Sequence, residues 1–241
     1  MQAVATFPDQ DTLAEAAAQH IVTLAKEAIT TRGRFSIALS GGSTPKQTLS
    51  CLASDEFAPM MDWQKVHVFW GDERCVPPDH ADSNYLMARE VMLDRVPIPI
   101  ENIHRIQAEL NPTDAANTYE TELRAFFQEV PRFDLVLLGM GDDGHTASLF
   151  PGTEAFIEED RWVVANYIAK MSAWRITLTP IAINAAANIT FLVSGARKAE
   201  RLHEVLNGPY KPRELPAQLV KPLDGRLRWL VDADAARLLN D

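Results

Sequence analysis

The stretch Phe133-Asp134-Leu135-Val136-Leu137-Leu138 is almost wholly apolar and runs directly into Gly139-Met140-Gly141. A short run of this kind suits a strand buried on both faces inside a parallel sheet, and parallel neighbours need crossover connections, usually helices. The remaining sequence supplies that alternation. Thr12 and Glu15 make a capping-box pair ahead of Leu13, Ala17, Ile21, Leu24 and Ala28, so the first element is expected to be a helix. Phe35, Ile37 and Leu39 alternate as a strand does and end in Ser40-Gly41-Gly42-Ser43-Thr44-Pro45, where Thr44 is expected to cap a helix with Pro45 in its first turn. Residues 65–70 read as a strand, Ser83 as the cap of a helix reaching about Arg95, and Asn111-Pro112 as the start of a helix carrying Tyr119, Leu123, Phe126 and Phe127. Strands are expected at 162–167, 174–179, 189–194 and 226–231, with a helix over 196–206.

This pattern predicts an α/β fold with a largely parallel sheet flanked by helices on both faces, in one domain over residues 1–241. The proline-rich segment 209–222 is expected to be a surface excursion. Ligands of such sheets bind outside the carboxyl ends of the strands, so the residues just after each strand are the ones to read for chemistry.

Charge narrows the function. Lys and Arg number 23 against 33 Asp and Glu, a net charge of −10, which disfavours nonspecific nucleic-acid binding because that needs a surplus of cations to displace phosphate counterions. An anionic ligand must therefore be met by basic residues gathered locally. The two cysteines, Cys51 and Cys75, form no CxxC pair and no disulfide framework. With no basic-then-apolar leader and no run of about 18 apolar residues, a soluble cytoplasmic protein with no membrane partner is expected. Oligomeric state has no signal in the sequence.

Three segments carry candidate chemistry. Ser40-Gly41-Gly42-Ser43-Thr44 joins a strand to a helix, so N–H groups and hydroxyls at Gly42, Ser43 and Thr44 can face an anion; a plain glycine turn is the alternative, and the Walker pattern is absent. Gly71-Asp72-Glu73-Arg74 places two carboxylates and a guanidinium at another strand end, suited to a sugar phosphate or to acid-base work, or else to a charged turn. Gly139-Met140-Gly141-Asp142-Asp143-Gly144-His145 satisfies GxGxxG, but Pro151 follows too early for the required helix and two aspartates would repel a pyrophosphate. His145 reads instead as an acid or base beside carboxylates, whereas His20, His67, His80, His104 and His203 read as structural, and Cys75 as inert. Arg175 and Lys198 lie where either can neutralise a phosphate, though singly each reads as a surface charge. No HxxxH, HExxH or CxxC spacing supports a metal.

Taken together, Ser40-Gly41-Gly42-Ser43-Thr44-Pro45, Gly71-Asp72-Glu73-Arg74, Ser83-Asn84-Tyr85, the run from Gly139 to Gly152, Arg175-Ile176-Thr177-Leu178 and Ser194-Gly195-Ala196-Arg197-Lys198-Ala199-Glu200 resemble the 6-phosphogluconolactonases. That family shares a superfamily with the glucosamine-6-phosphate deaminases. The resemblance implies a modified Rossmann-like fold, a sugar-phosphate lactone as the small-molecule substrate, and hydrolysis of 6-phospho-D-glucono-1,5-lactone without metal or organic cofactor. It further implies His145 as general base held by Asp143, the phosphate on Gly42, Ser43, Thr44, Arg175 and Lys198, Arg74 near the carbonyl or the phosphate, and Asp72 on sugar hydroxyls. The deaminases typically follow Gly-His with a run ending in Glu-Pro; here Thr146-Ala147-Ser148-Leu149-Phe150-Pro151 has no glutamate before the proline. A deaminase or sugar-phosphate isomerase on the same scaffold, and a noncatalytic sugar-phosphate sensor, are the competing readings.

Overall fold

The computed structural model describes residues 2–239. Six strands, β1 (Gln2–Phe7), β2 (Phe35–Leu39), β3 (Val66–Trp70), β5 (Leu135–Leu138), β8 (Asn188–Val193) and β9 (Arg226–Asp232), form one sheet in the order β1-β9-β8-β5-β2-β3. Every pairing in that sheet is parallel. Around it run α1 (Gln10–Arg32), α2 (Ser43–Leu52), α3 (Asn84–Val91), α4 (Pro112–Phe127), α5 (Pro180–Asn184), α6 (Ala199–Asn207) and α7 (Ala233–Ala236). β2 and β5 are buried at every position, as their apolar runs require. No described helix is long and apolar enough to cross a membrane.

The strands expected at 162–167 and 174–179 do not join this sheet. They are β6 (Val163–Ile168) and β7 (Ala173–Leu178), an antiparallel hairpin completed by the short β4 (Asp72–Arg74) in the order β4-β7-β6. A three-residue strand made entirely of charged side chains has no period to read, so β4 follows from its partner and not from its own composition.

Several local expectations are corrected. A strand, β1, precedes the first helix and adds to the sheet edge beside β9. The α1 capping box closes between Asp9 and Thr12 rather than Thr12 and Glu15, because the Asp9 carboxylate accepts from the Thr12 N–H and the Thr12 hydroxyl oxygen accepts from the Asp9 N–H. Ser83 caps α3 as expected, but α3 stops at Val91 and a 3-10 turn covers Leu93–Arg95. Likewise the start of the helix expected over 196–206 is a 3-10 turn, Ala196–Lys198, ahead of α6. In the segment 209–222, residues 209–211, 213, 214 and 221 are exposed as expected, but Leu215, Pro216, Ala217, Gln218 and Val220 are buried and the Ala217 N–H donates to the Gly144 carbonyl, so its second half packs behind the His145 loop.

Candidate active site

Three loops at the carboxyl ends of strands of the parallel sheet and the edge of the small sheet meet around a cleft of about 240 Å³. Its walls come from Ser40–Pro45 after β2, Gly139–Gly141 and His145 after β5, Leu192–Ser194 and Lys198 after β8, with Asp72 and Arg74 from β4. Of the residues read from sequence, Gly42, Ser43, Thr44, Asp72, Arg74, His145 and Lys198 line it together. Asp143 stands behind His145, and Arg175 lies on β7 directly opposite Arg74 in the ladder, beside the lining.

At the head of α2 the cap is Gly42, with φ of 103°, a left-handed conformation that disfavours any other residue. Thr44 is therefore inside the first turn and not its cap. Gly42 has no side chain to satisfy the helix donors, so among the described residues no side chain caps the first turn at Ser43 and Thr44, and the positive end of the helix dipole lies behind their N–H groups.

After β5 the chain makes no helix, which disposes of the dinucleotide pattern; the loop closes on itself with a Thr146 to Leu149 bridge. The Thr146 hydroxyl donates to the Gly139 carbonyl, the Ser148 hydroxyl to Asp72 Oδ2 at 2.7 Å, and the Thr177 hydroxyl accepts the Ser148 N–H. These bonds hold Ala147 at φ 47°, a left-handed strain of about 1–2 kcal/mol for a residue with a Cβ. Asn84 ties in the other side by donating to the Asp72 carbonyl.

The His145 ring packs directly on Gly141, where any Cβ would collide with it, and stacks on Phe150 at 4.0 Å between centroids. Its Nδ1 lies 2.5 Å from Asp143 Oδ1. Burial pushes the Asp143 carboxyl up, but hydrogen bonds from His145 and Lys170 outweigh it and hold the group well below the usual carboxylate range. An ionised carboxylate only accepts, so Nδ1 donates to Asp143; among the described residues no hydrogen bond reaches Nε2, the nitrogen that has the lone pair in a neutral ring.

Arg74 and Lys198 line the cleft, with Arg175 beside Arg74. Lys198 Nζ sits 2.5 Å from Asp142 Oδ1. Among the described residues, neither the Arg74 nor the Arg175 guanidinium has a carboxylate within ion-pair reach; Arg74 donates to the Asp82 carbonyl at 2.7 Å. Burial, then the charge of Arg74, pushes the Arg175 guanidinium down, with Asp72 opposing. Beneath them Glu73 is buried and accepts from the N–H groups of Arg74, Asn84 and Tyr85 and from the Ser83 hydroxyl, which fixes the β4 edge. Its role is therefore structural.

Cys75 lies outside this chemistry, since burial pushes its thiol up to about 11 against the opposing Arg175 charge. Among the described residues no group of three or more His, Cys, Asp or Glu is gathered closely enough to hold a metal. Sequence reading missed Lys170, which pairs with Asp143, and Phe150, on which His145 stacks. Phe150 stood inside a quoted motif without a role, whereas Lys170 lies in a hairpin turn with no motif around it.

The family described as glucosamine-6-phosphate isomerases/6-phosphogluconolactonase matches residues 8–229. A 6-phosphogluconolactonase of Nostoc sp. is 46% identical over 242 residues, covering 98% of this chain and 98% of that relative. Another, of Synechocystis sp., is 45% identical over 232 residues, covering 94% of each. The solved structure of a 6-phosphogluconolactonase from Trypanosoma cruzi superposes with a TM-score of 0.89 at 29% identity, covering 100% of this chain and 98% of that one. With four of its six motifs lining one cleft and the Nostoc and Synechocystis relatives matched over 94–98% of its length, the chain belongs to the glucosamine-6-phosphate isomerase/6-phosphogluconolactonase family.

Proposed function

We propose that the chain hydrolyses 6-phospho-D-glucono-1,5-lactone to 6-phospho-D-gluconate, with His145 as the general base. The observation that carries this reading is the Asp143–His145 pair at a cleft whose other walls are uncapped helix N–H groups and a lysine. Relatives named 6-phosphogluconolactonase over nearly the full length supply the substrate.

The phosphate is set on the Ser43 and Thr44 N–H groups and on Lys198, which exchanges Asp142 for the ligand. Arg74 and Arg175 supply further positive charge, to the phosphate or to the carbonyl oxygen, and Asp72 receives sugar hydroxyls. Nε2 of His145 removes a proton from water as the water oxygen bonds to C1, and the carbonyl electrons move onto its oxygen. Collapse of that tetrahedral species breaks the bond from C1 to the ring oxygen, which takes the proton back from the imidazolium. One water is consumed, the imidazole returns neutral, and the new carboxylic acid ionises to solvent. General acid-base help of this kind contributes about 10² to 10⁴ in rate.

The test is turnover of freshly generated lactone, corrected for spontaneous opening. The proposal expects 6-phosphogluconate well above background without ammonia release or hydrogen exchange with solvent. A rate equal to background overturns it.

A further inference from the structure

The turn joining β6 to β7, Ala169–Met171, reaches across to the His145 loop through one side chain. Lys170 Nζ makes an ion pair with Asp143 Oδ2, the oxygen not used by His145, and lies 4.8 Å from the centre of the Phe150 ring on which His145 stacks. Both supports of the imidazole, the carboxylate and the stacked ring, therefore end on the same ammonium. A pair whose lysine is half-exposed adds little to fold stability. Its place beside the Asp143–His145 pair gives it a different consequence.

A carboxylate alone against an imidazole favours the imidazolium, which has no lone pair left to act as a base. A cation on the far oxygen offsets that pull. We propose that Lys170 is a positioning residue for His145: its ammonium counterbalances Asp143 and so keeps the imidazole neutral, and fixed over Gly141, at working pH. This rests on the general-base reading above.

The charged groups facing the pair and its supports from neighbouring elements are Asp142 on the same loop, Asp72 and Arg74 on β4, Lys198 and Arg201 from the 3-10 turn and α6, and Glu154 and Glu158, which line one hollow with Lys170 and Phe150. Lys198 is engaged by Asp142, and Arg201 by Glu204 and the Asp142 carbonyl, so among the lysines and arginines of the described residues Lys170 is the one paired with Asp143 itself.

The experiment follows the His145 ring nitrogens by ¹⁵N NMR as a function of pH, in wild type, Lys170→Met, Lys170→Gln and Lys170→Arg, alongside the pH profile of kcat/KM. Removing the charge is expected to raise the His145 titration midpoint by about half to one pH unit. The acid limb of kcat/KM moves with it, a loss of about three- to tenfold at pH 6 that shrinks to within twofold at pH 8.5. Lys170→Arg restores the wild-type midpoint. An unmoved midpoint in both neutral variants overturns the proposal, as does an activity loss equal at every pH, which marks a purely structural contact. The NMR midpoint needs no turnover, so a wild type that titrates as described but adds nothing to spontaneous lactone opening refutes the hydrolase reading and leaves the Lys170 contact standing.

Discussion

Gly141 lies so close beneath His145 that the imidazole occupies the space where a Cβ of residue 141 would stand. The glycine is needed for contact, since its φ is not among the left-handed ones. Gly141→Ala is therefore expected to displace the ring by a fraction of an ångström to an ångström while leaving the sheet intact. Displacement on this scale costs up to about 100-fold in kcat. Steady-state kinetics together with an unchanged circular dichroism spectrum check this; wild-type kcat in the alanine variant contradicts the role given to the contact.

On the proposed reading, Asp142 and the substrate phosphate compete for the Lys198 ammonium. Lys198→Ala is expected to raise KM by about 10-fold or more, the value of one charge-assisted hydrogen bond, with kcat little changed. Asp142→Asn, which frees the ammonium, is expected to lower KM. Opposite signs in KM from the two variants are the diagnostic result; a kcat loss in Lys198→Ala with unchanged KM places that lysine in the transition state instead.

Much of this geometry was legible because it depends on strand ends. The apolar runs of β2 and β5 identified the buried parallel strands, and the residues following them, Gly42 to Thr44 and Gly141 to His145, did prove to share a cleft. What escaped the sequence was tertiary in origin. β4 exists because Asp72, Glu73 and Arg74 find Thr177, Ile176 and Arg175 across a gap of about a hundred residues. Arg175 next to Arg74 and Lys170 on Asp143 are consequences of that same small sheet, which no local period announces. The cap of α2 lies two residues before Thr44, which is a good cap by type, because the chain enters the helix through a positive φ at Gly42 that residue type alone does not announce.

Glu73 tests the structural side. Its buried carboxylate accepts three N–H groups and a hydroxyl, and burial nevertheless raises its carboxyl above the ordinary value, the N–H groups opposing. Glu73→Gln places an amide donor against those donors and is expected to destabilise the fold by at least about 2 kcal/mol in urea unfolding. A change under about 0.5 kcal/mol contradicts the assignment.

Acid sensitivity follows from two histidines remote from the cleft. Burial, then Arg228, pushes His20 down to about 4; burial, then His104 and Arg34, pushes His67 down to about 4. In the unfolded chain both return to about 6.5. Between those values the unfolded state binds protons that the native state does not, so stability falls as pH drops from about 6.5 to about 4 and is fully present above that window. Urea midpoints at pH 7.5 and 5 are expected to differ less in a His20→Gln/His67→Gln variant than in wild type. Equal differences contradict the assignment.

The most direct test of the whole account is the single-turnover rate of His145→Asn on freshly prepared 6-phosphogluconolactone, against wild type and the uncatalysed opening. Asparagine keeps a hydrogen-bonding side chain at Asp143 but offers no basic nitrogen to water, so the rate is predicted to fall at least about 100-fold with KM nearly constant. A His145→Asn enzyme that opens the lactone at the wild-type rate contradicts the account.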